Sequence, residues 1–111
     1  MANIQKTYAQ IVGAVLALIG IAGFFVGEGL LMGFGVNILH SIIHLLSGIL
    51  LIAFAGRVAN LTFGWVYAAV FVLGLVAPGL MASLIHLNPA DNYLHLALAV
   101  ISLGVGYGAK E

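Results

Sequence analysis

The chain has 111 residues, 64% of them hydrophobic and only 5% charged, which is too little polar surface to coat a water-soluble globule. Three basic residues (Lys6, Arg57, Lys110) balance three acidic ones (Glu28, Asp91, Glu111), so there is no electrostatic footprint for nucleic acid and none is expected as a partner. Cysteine is absent, which removes disulfides, thiolate metal sites, iron–sulfur clusters and thiol redox chemistry.

The charges partition the chain, because an ionised side chain at mid-bilayer costs about 2.5–3.5 kcal/mol on insertion scales and therefore marks a helix end. The uncharged stretch between Lys6 and Glu28 predicts helix 1 over residues 7–27, since about 20 apolar residues cross the hydrocarbon core. Lys6 followed by the apolar run Ile11–Val26 imitates a secretory leader. The run is too long for a signal-peptide core, so it reads as a membrane span. Helix 2 is expected over 37–55. The uncharged run Val58–Ala90 exceeds one span, and Pro78-Gly79 and Asn88-Pro89 punctuate its far end, which puts helix 3 at 61–84. Helix 4 follows over 91–108, and the whole chain, 1–111, reads as a single transmembrane domain.

The short connections 27–36, 56–60 and 86–90 make successive helices antiparallel. The expected fold class is all-α: an integral membrane four-helix bundle running up-down-up-down. This threading gathers Lys6, Arg57 and Lys110 on one side and Glu28 and Asp91 on the other. The positive-inside rule assigns the basic side, with both termini, to the cytoplasm, in a multi-pass protein of a bacterial inner or thylakoid-type membrane. An internal repeat agrees: Gly13–Gly20 lies on Tyr67–Gly74, Asn37-Ile38-Leu39-His40 on Asn92-Tyr93-Leu94-His95, and Ser47 on Ser102. The offset is 54 residues in the first block and 55 in the rest, a single insertion. Two spans precede the second copy, so the copies share one orientation, giving a parallel repeat of two helical hairpins.

At 100° per residue, Asn37, His40, Ser41, His44, Ser47 and Gly48 share about a third of the circumference of helix 2. Helix 4 repeats the pattern with Asn92, His95, Ala99, Ser102 and Gly106, and helix 1 offers Gln10, Gly13, Ala17, Gly20 and Gly27. Small residues let helices approach closely, so these faces are expected at the bundle axis. All four histidines, His40, His44, His86 and His95, fall in the same half as Glu28 and Asp91. Three readings of this cluster are open. In the first, Asn37 and Asn92 cap their helices and the histidines hydrogen-bond across the bundle. In the second, His40 and His44, at i, i+4 spacing, present two imidazoles on one face, and His95, His86, Asp91 or Glu28 complete a zinc or iron site. In the third, His40 and His95, equivalent by the repeat, ligate a haem iron from both sides or each hold a chlorophyll magnesium. Proton conduction lacks polar groups through the other half of the bilayer, and none of Ser41, Ser47, Ser83 and Ser102 has a Gly-x-Ser-x-Gly setting. Tyr8, Trp65, Tyr67, Tyr93 and Tyr107 read as interfacial belts.

At Val36–Gly48 and Asp91–His95 the sequence resembles a family of small bacterial four-helix membrane proteins of unknown function, over nearly the whole chain. The resemblance implies four helices, an Asn-x-x-His-x-x-x-His second helix and an Asp/Asn-x-x-His fourth helix, and it implies no activity. The expected function is a small non-enzymatic accessory or structural subunit. Its outer Leu, Ile, Val and Phe faces would meet the lipid bilayer or helices of a larger respiratory or photosynthetic complex, with a pigment or haem on His40 and His95 kept open. The alternative is a self-contained metal- or haem-binding membrane protein that uses the histidine cluster, supported by Asn37, Asn92, Asp91 and Glu28.

Overall fold

The computed structural model describes residues 3–110; Met1, Ala2 and Glu111 lie outside them. The described residues form five helices and one two-stranded hairpin: α1 (Ile4–Val26), β1 (Gly29–Leu31), β2 (Phe34–Val36), α2 (Ile38–Ala53), α3 (Arg57–Val76), α4 (Pro78–Ile85) and α5 (Pro89–Gly108). The architecture is therefore all-α apart from the hairpin. α1 starts where the Asn3 side chain accepts the Lys6 N–H at 3.1 Å and stops at Gly27, whose φ of 76° leaves the helical region. α2 starts in the same way, with Asn37 Oδ1 accepting the His40 N–H at 2.8 Å. Each cap satisfies a donor that the first helical turn leaves without an intrahelical acceptor.

The stretch expected as one helix over 61–84 is two. α3 already begins at Arg57, and Ala77 (φ −135°, ψ 55°) turns out of the helix, because a proline ring crowds the helical conformation of the residue before it. Pro78 then opens α4, at a position where its missing N–H is not needed. α5 begins at Pro89 rather than 91. Asn88 Oδ1 accepts the Asp91 N–H at 3.0 Å and Asp91 Oδ2 accepts the Asn88 N–H at 3.0 Å, a reciprocal capping box. Asn92 consequently lies inside α5 and caps nothing; its Nδ2 donates to the Gly74 carbonyl at 3.4 Å. The connection 27–36, expected as a plain loop, is an antiparallel hairpin pairing Leu31 with Phe34. Between them Met32 and Gly33 have φ of 50° and 86°, the two positive values that a type I′ turn requires.

Two antiparallel helix pairs make the body, α1 with α2 and α3 with α5. Gly13 meets Gly48 while Gly20 meets Ser41 and Leu45, and Gly64 meets Leu103 while Gly74 meets Asn92. A Cβ at Gly48 would lie 2.6 Å from the Ala17 nitrogen and would also strike the Gly13 carbonyl, so this approach requires glycine. These pairs are the two copies of the sequence repeat, and hydroxyls tie them together. Tyr8 and Ser102 share a hydrogen bond of 2.7 Å, and Tyr67 donates to Ser47 at 3.2 Å. An apolar core of Ala9, Leu16, Leu51, Phe63, Tyr67 and Ala99 fills the space between the pairs.

The two ends differ. At one, Gln5 Nε2 donates to the carbonyls of Val105, Gly106 and Ala109, Arg57 donates to those of Gly106 and Ala109, and Asn60 donates to Gln5. Gln10, expected on the inward face of helix 1, is exposed, and Gln5 is the buried glutamine. At the other end the hairpin and α4 fold together as a cover, with Asn37 donating to the Leu84 carbonyl and Asn88 to that of Gly33, each at 3.0 Å. α1 and α3 are long and apolar enough to cross a membrane, and α2 is a shorter apolar helix.

Candidate metal centre

Packing α2 on α1 and α5 on α3 leaves the polar stripes of α2 and α5 facing the axis beneath the cover. His40 and His44, one turn apart on α2, converge there with His95 of α5. The ring centres are 4.4 Å (His40–His44), 5.8 Å (His40–His95) and 6.3 Å (His44–His95) apart. None of the three is more than 3% exposed, and one nitrogen from each lies within 4.8 Å of those from the other two. The Tyr67 ring stands against the group, 5.4 Å from His95 and 6.5 Å from His44.

The histidines do not hydrogen-bond across the bundle. Both ring nitrogens of His40, both of His44 and Nδ1 of His95 are buried without a hydrogen-bond partner among the described residues. A buried polar atom left in this state costs about 1–3 kcal/mol, so five of them in one place mark the three histidines as a candidate ligand set. Three imidazole nitrogens around a tetrahedral ion at Zn–N distances of about 2.0–2.1 Å stand about 3.3 Å apart. A sub-ångström inward movement of each ring from the present separations reaches that geometry. Imidazole donors suit zinc, copper, iron or nickel, and three of them leave a fourth position for water or an exogenous ligand. The nitrogens turned away from an ion need acceptors that fix the ring orientation, and the backbone of Ile85 and of Gly35 is beside His40. A tetrapyrrole fits less well. The three ring separations put His44 about 4.6 Å from the midpoint of His40 and His95, inside the disc that a macrocycle ligated from both sides would fill.

The other sequence candidates fall outside this group. His86 follows α4 in a left-handed conformation (φ 56°), which directs it to the surface, where its Nδ1 lies 3.4 Å from Glu28 Oε1. Asn37 is the α2 cap that positions His40. Asn92 braces α5 on α3 through Gly74, and Asp91 belongs to the α5 capping box. Gln5 and Asn60, both fully buried, are not among the sequence candidates: Gln5 precedes Lys6, outside the helix expected over 7–27, and Asn60 falls in the connection expected over 56–60. The spacing Gln5, Ala9, Gly13, Leu16, Gly20 carried the signal. Nor is Asn88 among the sequence candidates, although Asn88-Pro89-x-Asp91 is a helix-start signature.

No curated protein and no solved structure matches the chain. The family described as Domain of unknown function (DUF4383) matches residues 6–108, and the chain belongs to that family.

Proposed function

We propose that this is a multi-pass membrane protein that holds a divalent transition-metal ion of the zinc class on His40, His44 and His95. The observation that carries the reading is the convergence of three buried imidazoles whose nitrogens have no other partner. The bilayer setting is supported by α1 and α3 and by a long axis of 43 Å, which matches the roughly 40–45 Å of a bilayer with its headgroups. Outward-facing Ile11, Leu18, Phe25, Leu46, Val72 and Val100 are exposed, as lipid contact requires. In this reading α1, α2, the α3–α4 pair and α5 are the four spans. The basic end faces the cytoplasm and the histidine end lies in the extracytoplasmic leaflet. The role is to bind the ion, with no reaction assigned to it.

Protein purified in mild detergent from metal-replete cells is expected to carry about one zinc-class ion per chain by elemental analysis. The ion is lost in His44→Ala and retained in His86→Ala. Metal-free wild-type protein, or unchanged stoichiometry in His44→Ala, would overturn the reading.

A second reading, accessory subunit of a larger membrane complex, is favoured by one feature. A laterally open groove of about 610 Å³ between α2 and α3, lined by Leu50, Phe54, Val58, Thr62 and Val66, offers a mainly apolar surface that a partner helix would cover. Co-purification of a stoichiometric membrane partner that is lost in Val58→Trp tests it.

A further inference from the structure

We infer that the ion reaches the three-histidine centre from the Glu28 end of the molecule, handed inward by Asp91. This rests on the metal-binding reading above. Asp91 is 1% exposed. Its capping role uses Oδ2 alone, and Oδ1 is buried without a partner. A carboxylate oxygen held in that state needs a cation or a proton to offset its desolvation. Asp91 lies four residues before His95 on the inward face of α5, about 6 Å nearer the end of the helix by the helical rise. It stands outside the set of three nitrogens that come together, so it is placed to pass an ion rather than to keep it.

Polar groups stand on the outer side of Asp91 and the three histidines on its inner side. On the outer side is the exposed Glu28–His86 pair. Gly35 of β2 lies between: a Cβ there would strike the His86 carbonyl and come within 3.1 Å of Asp91 Oδ2. Gly35 and His86 also lie beside His40. The inward order is therefore Glu28 and His86, then Asp91, then His40, His44 and His95. In the other direction lies the core of Ala9, Leu16, Leu51, Phe63, Tyr67 and Ala99, whose one hydroxyl, on Tyr67, is engaged with Ser47. Carboxylate oxygen is a harder donor than imidazole, so a zinc-class ion moves from transient oxygen contacts to lasting nitrogen ones.

The test is the rate at which cobalt(II) enters the full-length, metal-stripped protein in detergent, read from the visible absorption of tetrahedral cobalt after rapid mixing. Wild type is expected to develop the band. Asp91→Asn, whose side-chain oxygen still accepts the Asn88 N–H, is expected to reach the same final intensity at least about tenfold more slowly, the lower range of electrostatic focusing in a charged cleft. Glu28→Gln, at an exposed position that folding tolerates, is expected to slow entry by a smaller factor. Full intensity at wild-type rate in both variants overturns the entry route and leaves the centre standing. A reduced final intensity in Asp91→Asn makes Asp91 a ligand and overturns the relay. If Asp91→Asn loses its helicity, the rate in Glu28→Gln decides. A wild type with no cobalt band overturns the metal reading itself.

Discussion

Replacing His44 by leucine should stabilise the protein without metal and destabilise it with metal. Leucine fills nearly the same volume as imidazole and has no polar atoms. In the metal-free protein the substitution removes two buried nitrogens that have no partner. At about 1–3 kcal/mol each, partly offset by imperfect packing of the new side chain, the expected gain is about 2 kcal/mol. In the loaded protein the order reverses. An ion held at 100 times its dissociation constant stabilises the folded wild type by about 2.7 kcal/mol, and a site reduced to His40 and His95 forfeits most of that. Unfolding in detergent, followed by loss of helicity with and without a chelator, measures both signs on the same two proteins. If leucine destabilised both forms alike, His44 would be an ordinary packing residue and the reasoning from orphaned nitrogens would be refuted.

Two further expectations test the scaffold. Gly48→Ala should cost about 1–3 kcal/mol by overpacking, because the new methyl meets the α1 backbone at Gly13 and Ala17. Gly104→Ala, where a Cβ meets nothing within 4 Å, should be neutral or slightly stabilising, and the same unfolding measurement compares them. Gln5→Leu should leave metal content unchanged while it releases the Val105, Gly106 and Ala109 carbonyls. The expected loss is about 1–3 kcal/mol, with faster hydrogen exchange confined to the end of α5 near Ala109.

The sequence made the helices legible wherever a physical penalty enforced them. An uncharged run of spanning length between Lys6 and Glu28 allows little besides a helix, and α1 fills it. The spacing of His40 and His44 was enough to put both rings on one face. What could not be read depended on contacts distant in sequence. Met32-Gly33 lacks the Asn-Gly or Asp-Gly signal of a two-residue hairpin turn, and the strands it joins are only three residues each, so β1 and β2 were invisible. The separation of His86 from the other histidines hinges on the left-handed end of α4, a helix set off by the break at Ala77. Pro78 announced that break, but periodicity alone does not say whether a proline kinks a helix or restarts it. The repeat misled at Asn92. By analogy with Asn37 it should cap, but the stronger capping box of Asn88 and Asp91 moved the helix start one turn upstream.

That departure from symmetry bears on what the centre can do. At the repeat offset of 55 residues, the counterpart of His44 is Ala99 and the counterpart of Asp91 is Val36. Two copies kept alike in the first respect would bring four imidazoles together, a saturated set of the kind that fixes a structural ion permanently. Ala99 takes the fourth place, 3% exposed and packed into the apolar core, and the Tyr67 ring stands against His44 and His95 with its hydroxyl engaged with Ser47. If the three imidazoles hold an ion, as proposed, one coordination position remains for an exchangeable ligand. In the entry route inferred above, the second departure acts at the entrance: Val36 is buried and apolar in the first copy, and Asp91 is the buried carboxylate between the exposed Glu28 and the histidines. In the proposed reading, divergence between the copies leaves the centre with three imidazoles rather than four. Under the proposed reading an ion in such a site would exchange, and its role is binding rather than rigid cross-linking of helices.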